Sequence, residues 1–336
     1  MLNVTLGKTG ITVNKNGFGC LPIQRLTLPE AVKLLRKAYD HGVRYFDTAR
    51  AYSDSEEKIG VALSPVRSQI FLATKSMAKN GKDLRRELEQ SLKLLQTDYI
   101  DIYQFHNPAF LPLPGGADGL YDEALKAQAE GKIRFIGISN HRLPVAQEAI
   151  KSGLYATLQF PFSYLASAKD LQLVHACRVA QVGFIAMKSL SGGLITNSAA
   201  AYAFAATMDN VLPIWGLQRE QELDEFLGYQ DNPPALTAHL QAVIDKDRNE
   251  LTGSFCRGCG YCLPCPAGID IPNAARMSLM LRRAPTEKYL TAERQANMKR
   301  IPDCQHCNHC KNNCPYGLDT PALLKKNYED YLTFLK

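Results

Sequence analysis

The sequence lacks any long hydrophobic run. Over its 336 residues, no stretch approaches the length of about 18 consecutive apolar residues that a membrane-spanning helix needs. The first ten residues also lack the apolar core of a secretory signal peptide. These two absences predict a protein that is neither embedded in a membrane nor exported, and we expect it in the cytoplasm.

Cysteine is scarce outside one short segment. Eight of the ten cysteines lie between Cys256 and Cys314, which leaves Cys20 and Cys177 elsewhere. Cys20 lies in a strand pattern and Cys177 in a helical pattern, and we expect both to be core thiols. Disulfide scaffolds spread cysteines through small secreted chains, whereas cysteines grouped at two-residue spacing in an unsecreted chain indicate metal ligands.

The grouped cysteines form two runs, each ending in Cys-Pro: Cys256-Arg-Gly-Cys259-Gly-Tyr-Cys262-Leu-Pro-Cys265 and Cys304-Gln-His-Cys307-Asn-His-Cys310-Lys-Asn-Asn-Cys314. Three cysteines at this spacing bind one 4Fe-4S cluster, and the fourth, followed by proline, ligates the other cluster. The pattern therefore predicts two clusters with crossed ligation. One takes Cys256, Cys259, Cys262 and Cys314, and the other takes Cys304, Cys307, Cys310 and Cys265.

Structural zinc is the alternative for these cysteines, because pairs of Cys-x-x-Cys also build tetrahedral sites, with His306 or His309 as further ligands. Zinc would leave the third cysteine of each run unused and gives no reason for the Cys-Pro ends. The first run has two residues before its fourth cysteine where bacterial ferredoxins have three, so the role of Cys265 stays open. Two clusters would reduce the net charge of +6 to about +2, and nucleic acid is not an expected partner.

The sequence also lacks a Gly-x-Gly-x-x-Gly after its first β-rich run, so the phosphate-binding turn of a Rossmann fold is missing. Eight β-rich runs instead alternate with eight helical patterns, and the predicted strands are 17–23, 44–49, 69–75, 99–106, 134–140, 156–162, 182–187 and 210–216. Such β-then-α units favour a closed (β/α)8 TIM barrel, with a doubly wound open sheet as the alternative. We predict a barrel over 1–232, a helical linker over 233–251 and a small α-helical iron-sulfur domain over 252–336.

Four titratable residues lie at or beside the ends of neighbouring predicted strands. Asp47 ends the second strand and Tyr52 follows five residues later, while Lys75 ends the third strand and His106 the fourth. Each alone has an ordinary explanation as a cap, a rim residue or a core residue. Because the carboxyl ends of parallel barrel strands meet at one face, the four together are typical of an active site.

The segments around these residues resemble the signatures of the aldo-keto reductase family. Gly42-Val-Arg-Tyr-Phe-Asp-Thr-Ala-Arg-Ala-Tyr52 is similar to its first signature, and Asp98-Tyr-Ile-Asp-Ile-Tyr-Gln-Phe-His106 to its histidine motif. The cysteine-rich tail resembles that of a prokaryotic branch with a C-terminal ferredoxin domain. The resemblance implies Tyr52 as general acid, Lys75 as the cation that lowers its pKa, Asp47 as the partner that orients the lysine, and His106 as the group that positions the substrate oxygen.

The resemblance also implies NADP(H) or NAD(H) as a cofactor lying across the barrel mouth. From its nicotinamide to its adenosine end, the residues implied are Ser139, Asn140, Gln159, Met187, Lys188, Ser189, Gly192, Gly216, Gln218, Arg219 and Glu225. The first three would bind the carboxamide, and the loop after Met187 would hold the pyrophosphate. Arg219 slightly favours NADP(H). Gln218 and Phe226, however, differ from the residues that the family usually has near the 2′-phosphate of NADP(H).

Taken together, these features predict an NAD(P)-dependent oxidoreductase that reduces a small aldehyde or ketone, or oxidises the alcohol. Its two clusters would exchange electrons with a one-electron carrier protein. A hydride moves two electrons and a 4Fe-4S cluster one, so exchange between them needs a mediator such as a flavin, for which the sequence carries no signal. Two alternatives stay open: a redox-sensing or interaction protein whose barrel binds a nucleotide without turnover, and a reductase whose cysteine module is purely structural.

Overall fold

A computed structural model of the chain describes residues 2–251, 255–283 and 286–335. They divide into two compact units. The first comprises Met1–Ser189 and Ala199–Gln241, and the second Leu190–Ser198 and Ala242–Lys336. The short segment Leu190–Ser198 therefore groups with the C-terminal unit although barrel residues flank it in the sequence, while the domain bounds at 232 and 251 stay predictions.

The first unit begins with a hairpin that was not predicted. Its strands β1 (Asn3–Thr5) and β2 (Thr12–Asn14) pair antiparallel. Val4 and Val13 are buried in one cluster with the barrel-interior residues Ile102 and Leu212. Both interior residues lie near the amino ends of their strands, so the hairpin packs at that end of the barrel and the carboxyl-end mouth is left for a site.

Eight parallel strands close the barrel in the order β10-β3-β4-β5-β6-β7-β8-β9. They are β3 (Gly17–Gly19), β4 (Tyr45–Asp47), β5 (Phe71–Ser76), β6 (Ile100–His106), β7 (Ile133–Ser139), β8 (Thr157–Pro161), β9 (Gly183–Met187) and β10 (Val211–Trp215). Each overlaps a predicted β-rich run. The closed barrel is confirmed, and the open doubly wound sheet is excluded because β10 pairs with β3.

Helices follow the barrel strands as predicted. They are α1 (Leu28–Asp40), α2 (Ser55–Leu63), α3 (Gly81–Leu95), α4 (Leu120–Ala129), α5 (Leu143–Ser152), α6 (Ala168–Val179), α7 (Ser198–Ala206) and α8 (Glu220–Asp231). In α1 the buried Ala31, Leu34, Leu35 and Ala38 recur every three or four residues. This spacing gives one apolar face, as expected of a helix that packs on a core.

The described part of the second unit is helical and contains no strand. From the predicted linker onward the helices are α9 (Ala238–Glu250), α10 (Ile271–Ala274), α11 (Met277–Arg283), α12 (Ala292–Met298), α13 (His309–Asn312) and α14 (Thr320–Thr333). Met277, Leu281, Met298 and Leu324 pack with Cys262 and Cys310 in one apolar cluster. Across the described ranges, none of the helices combines the length and apolar character needed to span a membrane.

Candidate active site and cysteine-lined cavities

The barrel fold brings the four predicted catalytic residues together. Asp47 ends β4, His106 ends β6, and Lys75 is the penultimate residue of β5 between them. The Lys75 Nζ atom donates to Asp47 Oδ1 at 2.6 Å and to the carbonyl oxygen of Thr48 at 2.6 Å, and it lies 5.3 Å from the centroid of the Tyr52 ring. The Tyr52 and His106 rings meet edge to face at 5.8 Å between centroids.

The Asp47 and Lys75 side chains form a buried ion pair, with 3% and 1% of their surfaces exposed. Burial raises the pKa of Asp47, while the Lys75 charge and the hydrogen bonds to the carboxylate oppose that shift. Two amides complete the carboxylate's partners: Gln159 Nε2 donates to Oδ1 at 3.2 Å and Gln104 Nε2 to Oδ2 at 3.3 Å. Water is thus replaced around Asp47 by a cation and two amide groups.

Gln104 was missed as a site residue. Its Nε2 also donates to Gln159 Oε1 at 2.9 Å, so it bridges two predicted site residues. The alternation of side chains along a strand could have identified Gln104. It lies two residues before His106, so the two side chains share one face of β6.

The pKa of Tyr52 differs from the expectation. Lys75 was expected to lower it, but desolvation by the surrounding protein and the charge of Asp47 raise it above the usual value of a phenol. Desolvation is the largest cause, because the surrounding protein replaces the water that would hydrate a phenolate. In the protein alone, Tyr52 consequently holds its proton throughout the neutral range, which is the form that a general acid needs.

His106 is held in its neutral form. Burial and the nearby Lys75 charge lower the pKa of His106 to about 3. Its Nδ1 atom is buried and has no hydrogen-bond partner among the described residues. A neutral imidazole at this position can donate one hydrogen bond without carrying a charge into the site.

The residues predicted for the carboxamide have partners within the barrel unit. Ser139 Oγ lies 3.5 Å from the carbonyl oxygen of Phe105. Asn140 Nδ2 donates to the carbonyl oxygen of Pro108 at 2.9 Å, and its Oδ1 accepts from the Arg142 N–H at 2.8 Å. Asn140 therefore holds the loop after β7, and its contact with a cofactor stays a prediction.

The loop predicted to hold the pyrophosphate begins where β9 ends at Met187. Lys188 adopts a left-handed conformation, with φ of 61°, and Ser189 Oγ donates to the carbonyl oxygen of Ala186 at 3.2 Å. Gly192, in the second unit, is also left-handed, and its carbonyl oxygen accepts from Arg276 Nη1 at 2.6 Å. A residue far along the sequence thus fixes the loop, and sequence reasoning did not find it.

The residues predicted for the adenosine end follow β10. A Cβ atom added to Gly216 would lie 3.1 Å from Pro22 Cγ, and Gln218 Oε1 accepts from Arg25 Nη1 at 3.3 Å. Arg219 donates from Nε to Glu222 Oε1 at 2.8 Å, and Glu225 Oε1 accepts from the Tyr229 hydroxyl at 2.9 Å. The guanidinium of Arg219 therefore already has a carboxylate partner, although 67% of its side chain is exposed.

The eight clustered cysteines surround two cavities in the second unit. The first is lined by Cys256, Cys259, Cys262 and Cys314, and the second by Cys265, Cys304, Cys307 and Cys310; Cys262 and Cys310 border both. Among the described residues, no three His, Cys, Asp or Glu side chains are grouped as ligands of a single metal ion.

The cysteine-lined cavities fit 4Fe-4S clusters in their donor set. Each offers four thiols, and thiolates are the ligands that such clusters take. Burial raises the pKa of Cys256, and neighbouring Cys259 and Cys314 raise it further; burial likewise raises the pKa of Cys310, with a contribution from Cys265. Cys314, which belongs to the second run, therefore lies near the first run. Cys265, which belongs to the first run, lies near the second. Cys20 and Cys177, expected as core thiols, are fully buried.

The closed parallel barrel with its polar groups at the carboxyl-end mouth is the architecture of a barrel enzyme. The model of the Aldo/keto reductase family matches residues 15–210, and that of a 4Fe-4S dicluster domain matches residues 255–319. The chain belongs to the aldo/keto reductase family, a family of oxidoreductases, and carries a C-terminal 4Fe-4S dicluster domain. The predicted aldo-keto reductase family and the predicted C-terminal 4Fe-4S domain are confirmed.

Two curated relatives show how much of the chain is shared. L-galactose dehydrogenase of Arabidopsis thaliana is 31% identical over 215 residues, covering 57% of this chain and 66% of the relative. Aldo-keto reductase YhdN of Bacillus subtilis is 31% identical over 216 residues, covering 57% and 63%. The chain thus spans just under two thirds of the length of these relatives.

Solved structures share the barrel. An aldo-keto reductase from Klebsiella pneumoniae in complex with NADPH superposes with a TM-score of 0.63 at 24% identity, covering 73% of this chain and 94% of that chain. The holo form of aldo-keto reductase AKR11C1 from Bacillus halodurans gives 0.65 at 21% identity, covering 74% and 96%. At these identities the likeness establishes the fold.

Proposed function

We propose that the barrel reduces an aldehyde or ketone with NADP(H) or NAD(H), or oxidises the corresponding alcohol. We further propose that two 4Fe-4S clusters in the cysteine-lined cavities exchange electrons with a one-electron carrier protein. The observation that carries the first proposal is the position of Tyr52 and His106 beside the buried Asp47–Lys75 pair.

The four residues divide the proton chemistry among them. A bound nicotinamide would supply the hydride. Tyr52 holds a proton at its hydroxyl and donates it to the carbonyl oxygen of the substrate. Lys75 stabilises the negative charge that then develops on the Tyr52 oxygen, and Asp47 keeps Lys75 charged and oriented. His106 donates a hydrogen bond to the same substrate oxygen and so positions the carbonyl.

NADP(H) is our proposal for the preferred cofactor. The relative from Klebsiella pneumoniae was solved with NADPH, and Arg219 offers an exposed guanidinium that suits a phosphate. Glu222 competes for that guanidinium at 2.5 Å. We therefore expect a modest preference that depends on how far Arg219 leaves Glu222.

The cluster proposal rests on which cysteines line each cavity. Cys314 lines the cavity of the first run and Cys265 that of the second, which is the crossed arrangement. When bound, each cluster would accept or release one electron. Cys307 is exposed, so the second cavity lies near the protein surface, where a carrier protein could approach.

The test of the reductase proposal replaces the Tyr52 hydroxyl. With anaerobically purified protein and a panel of small aldehydes and ketones, Tyr52→Phe should lower kcat by about 10²- to 10⁴-fold, the usual contribution of a general acid. The affinity for NADPH, measured by fluorescence titration, should stay unchanged.

Tyr45→Phe is the matched control. Tyr45 lies on β4, and its buried hydroxyl has no hydrogen-bond partner among the described residues, so its removal should leave kcat unaltered. A Tyr52→Phe variant that retains kcat, or a Tyr45→Phe variant that loses it equally, would contradict the assignment.

A further inference from the structure

Arg276 lies in the break between α10 and α11 of the second unit, and its guanidinium is fixed on two sides. Nη1 donates to the carbonyl oxygen of Gly192 at 2.6 Å, and Nε donates to that of Pro272 at 2.9 Å. Gly192 belongs to the segment Leu190–Ser198, which follows β9 closely along the chain. One arginine thus holds the backbone of that segment.

The same guanidinium packs against the loop that carries the first cysteines. A Cβ atom added to Gly258 would lie 2.9 Å from Arg276 Cζ, and one added to Gly192 would lie 2.6 Å from its Nη1. Both glycines have left-handed backbones, with φ of 63° and 66°. Only glycine lets both loops approach the guanidinium this closely.

The Gly258 loop leads directly to a proposed cluster ligand. The backbone N–H of Gly258 donates to Cys256 Sγ at 3.4 Å. An arginine is charged at every accessible pH, so Arg276 places a permanent cation beside this end of the first cavity. The cation contacts two loops: one bears Cys256, and the other bears Gly192.

We propose that Arg276 couples the charge of the cluster at Cys256 to the loop Leu190–Ser198, and through that loop to dinucleotide binding. The second half rests on the proposed function, in which Gly192 belongs to the pyrophosphate loop. A cluster with four thiolates carries about −2 when oxidised and about −3 when reduced by one electron, so reduction strengthens its attraction for the guanidinium. By linkage, a nucleotide that moves the loop changes the ease of reduction, and reduction changes nucleotide affinity by the same factor.

The experiment measures the reduction of the cluster and nucleotide binding separately in the full-length protein. An anaerobic dithionite titration followed by EPR gives the midpoint potential of each cluster. The nucleotide probe is 2′-monophosphoadenosine-5′-diphosphoribose, which has the pyrophosphate but no nicotinamide to reduce. Its affinity is measured by calorimetry on oxidised and on dithionite-reduced protein.

Removal of the cation should have two effects. Without nucleotide, Arg276→Gln should lower the equilibrium constant for reducing one cluster about tenfold, equal to about 59 mV for one electron. In the wild type the affinity for the probe should differ about threefold or more between oxidised and reduced protein, and in Arg276→Gln that difference should vanish. Arg276→Lys keeps the positive charge but not the planar guanidinium, so its midpoint potential should stay close to that of the wild type.

Two neighbouring arginines are matched controls. Arg283 holds the same segment by donating from Nε to the carbonyl oxygen of Leu194 at 2.8 Å, so Arg283→Gln should weaken probe binding without lowering the potential. Arg282, on the same helix, pairs with Asp330, and Arg282→Gln should change neither quantity.

The outcomes separate the inference from the proposed function. A wild type that does not bind the probe contradicts the NADP(H) proposal and the coupling together. A wild type that binds it with equal affinity in both redox states contradicts only the coupling. The coupling is also overturned if Arg276→Gln changes neither the midpoint potential nor the difference in probe affinity between oxidised and reduced protein. It is likewise overturned if Arg282→Gln shifts the midpoint potential as much as Arg276→Gln does. If Arg276→Gln fails to incorporate iron, the comparison of Arg276→Lys with the wild type decides, since the lysine should lose the loop contact and with it the difference in affinity.

Discussion

Replacing Lys75 with methionine would leave the Asp47 carboxylate buried without its cation. Methionine is close to lysine in length and fills the same space, so the main change is the loss of one charge and of the hydrogen bonds to Asp47 and Thr48. Gln104 and Gln159 would still donate to the carboxylate, at 3.3 and 3.2 Å. The substitution therefore isolates the contribution of the cation.

The expected loss of stability is large at neutral pH. Both side chains are at most 3% exposed, and removing one partner of a buried pair destabilises a protein by about 3–5 kcal/mol. The loss should shrink in acid because the carboxyl can then take up a proton and become neutral. A neutral Asp47 would leave mainly the lost hydrogen bond to Thr48, about 1 kcal/mol.

The sign of the pH dependence follows from the pKa of Asp47. Burial raises that pKa in the folded protein, and Lys75 opposes the rise, so the variant should have a still higher value. A carboxyl with a raised folded pKa contributes stability that is present below its unfolded pKa, about 3.9, and is lost as the pH rises through the folded pKa. Between these two pKa values, the free energy of unfolding of the variant should fall by up to about 1.4 kcal/mol for each unit that the pH rises.

Urea unfolding at pH 5 and pH 8 measures this dependence. The single tryptophan, Trp215, is 1% exposed on β10, so its fluorescence reports the barrel. Lys58→Met is the control, because its partner Asp54 has a side chain that is 48% exposed and stays solvated when the lysine is removed. Equal losses at both pH values for Lys75→Met, or the same pH dependence in Lys58→Met, would refute the reasoning.

Two further predictions concern the clusters and the cofactor. Anaerobically prepared Cys314→Ser and Cys256→Ser should each lose about four irons and the same EPR signal, because both cysteines line one cavity, whereas Cys304→Ser should lose the other signal. Different signals missing from Cys314→Ser and Cys256→Ser would show that each run ligates its own cluster. Arg219→Ala should weaken NADPH but not NADH, and Glu222→Gln should strengthen NADPH by freeing the guanidinium. Equal NADPH affinity in Arg219→Ala and the wild type would remove Arg219 from the phosphate site.

Much of the barrel followed from local sequence, because short β-rich runs and amphipathic helices alternate in a way that fits one architecture. The hairpin of β1 and β2 escaped prediction because its strands have only three residues each and contain threonine and asparagine, which also suit turns. The positions of Asp47, Lys75 and His106 could be predicted because strand ends converge in a parallel barrel.

The electrostatics of the site could not be predicted in the same way. The sign of the Tyr52 pKa shift depends on desolvation and on the nearby charge of Asp47, and both depend on the three-dimensional structure. Arg276 lies in a stretch with a helical pattern, where an arginine is usually a solvated surface residue. Its role depends on two glycines that lie 84 and 18 positions earlier in the chain.

The interleaving of the two cysteine runs also sets an order of events during synthesis. The second cavity has its four cysteines only when the chain has reached Cys310, and the first only when it has reached Cys314. By then every barrel strand has been made, so the barrel can begin to fold before either cavity is complete. A nascent chain therefore displays the thiols of the first run for the whole interval until the second run is translated. Protection from oxidation matters most in this interval, and cluster insertion can be completed only after it.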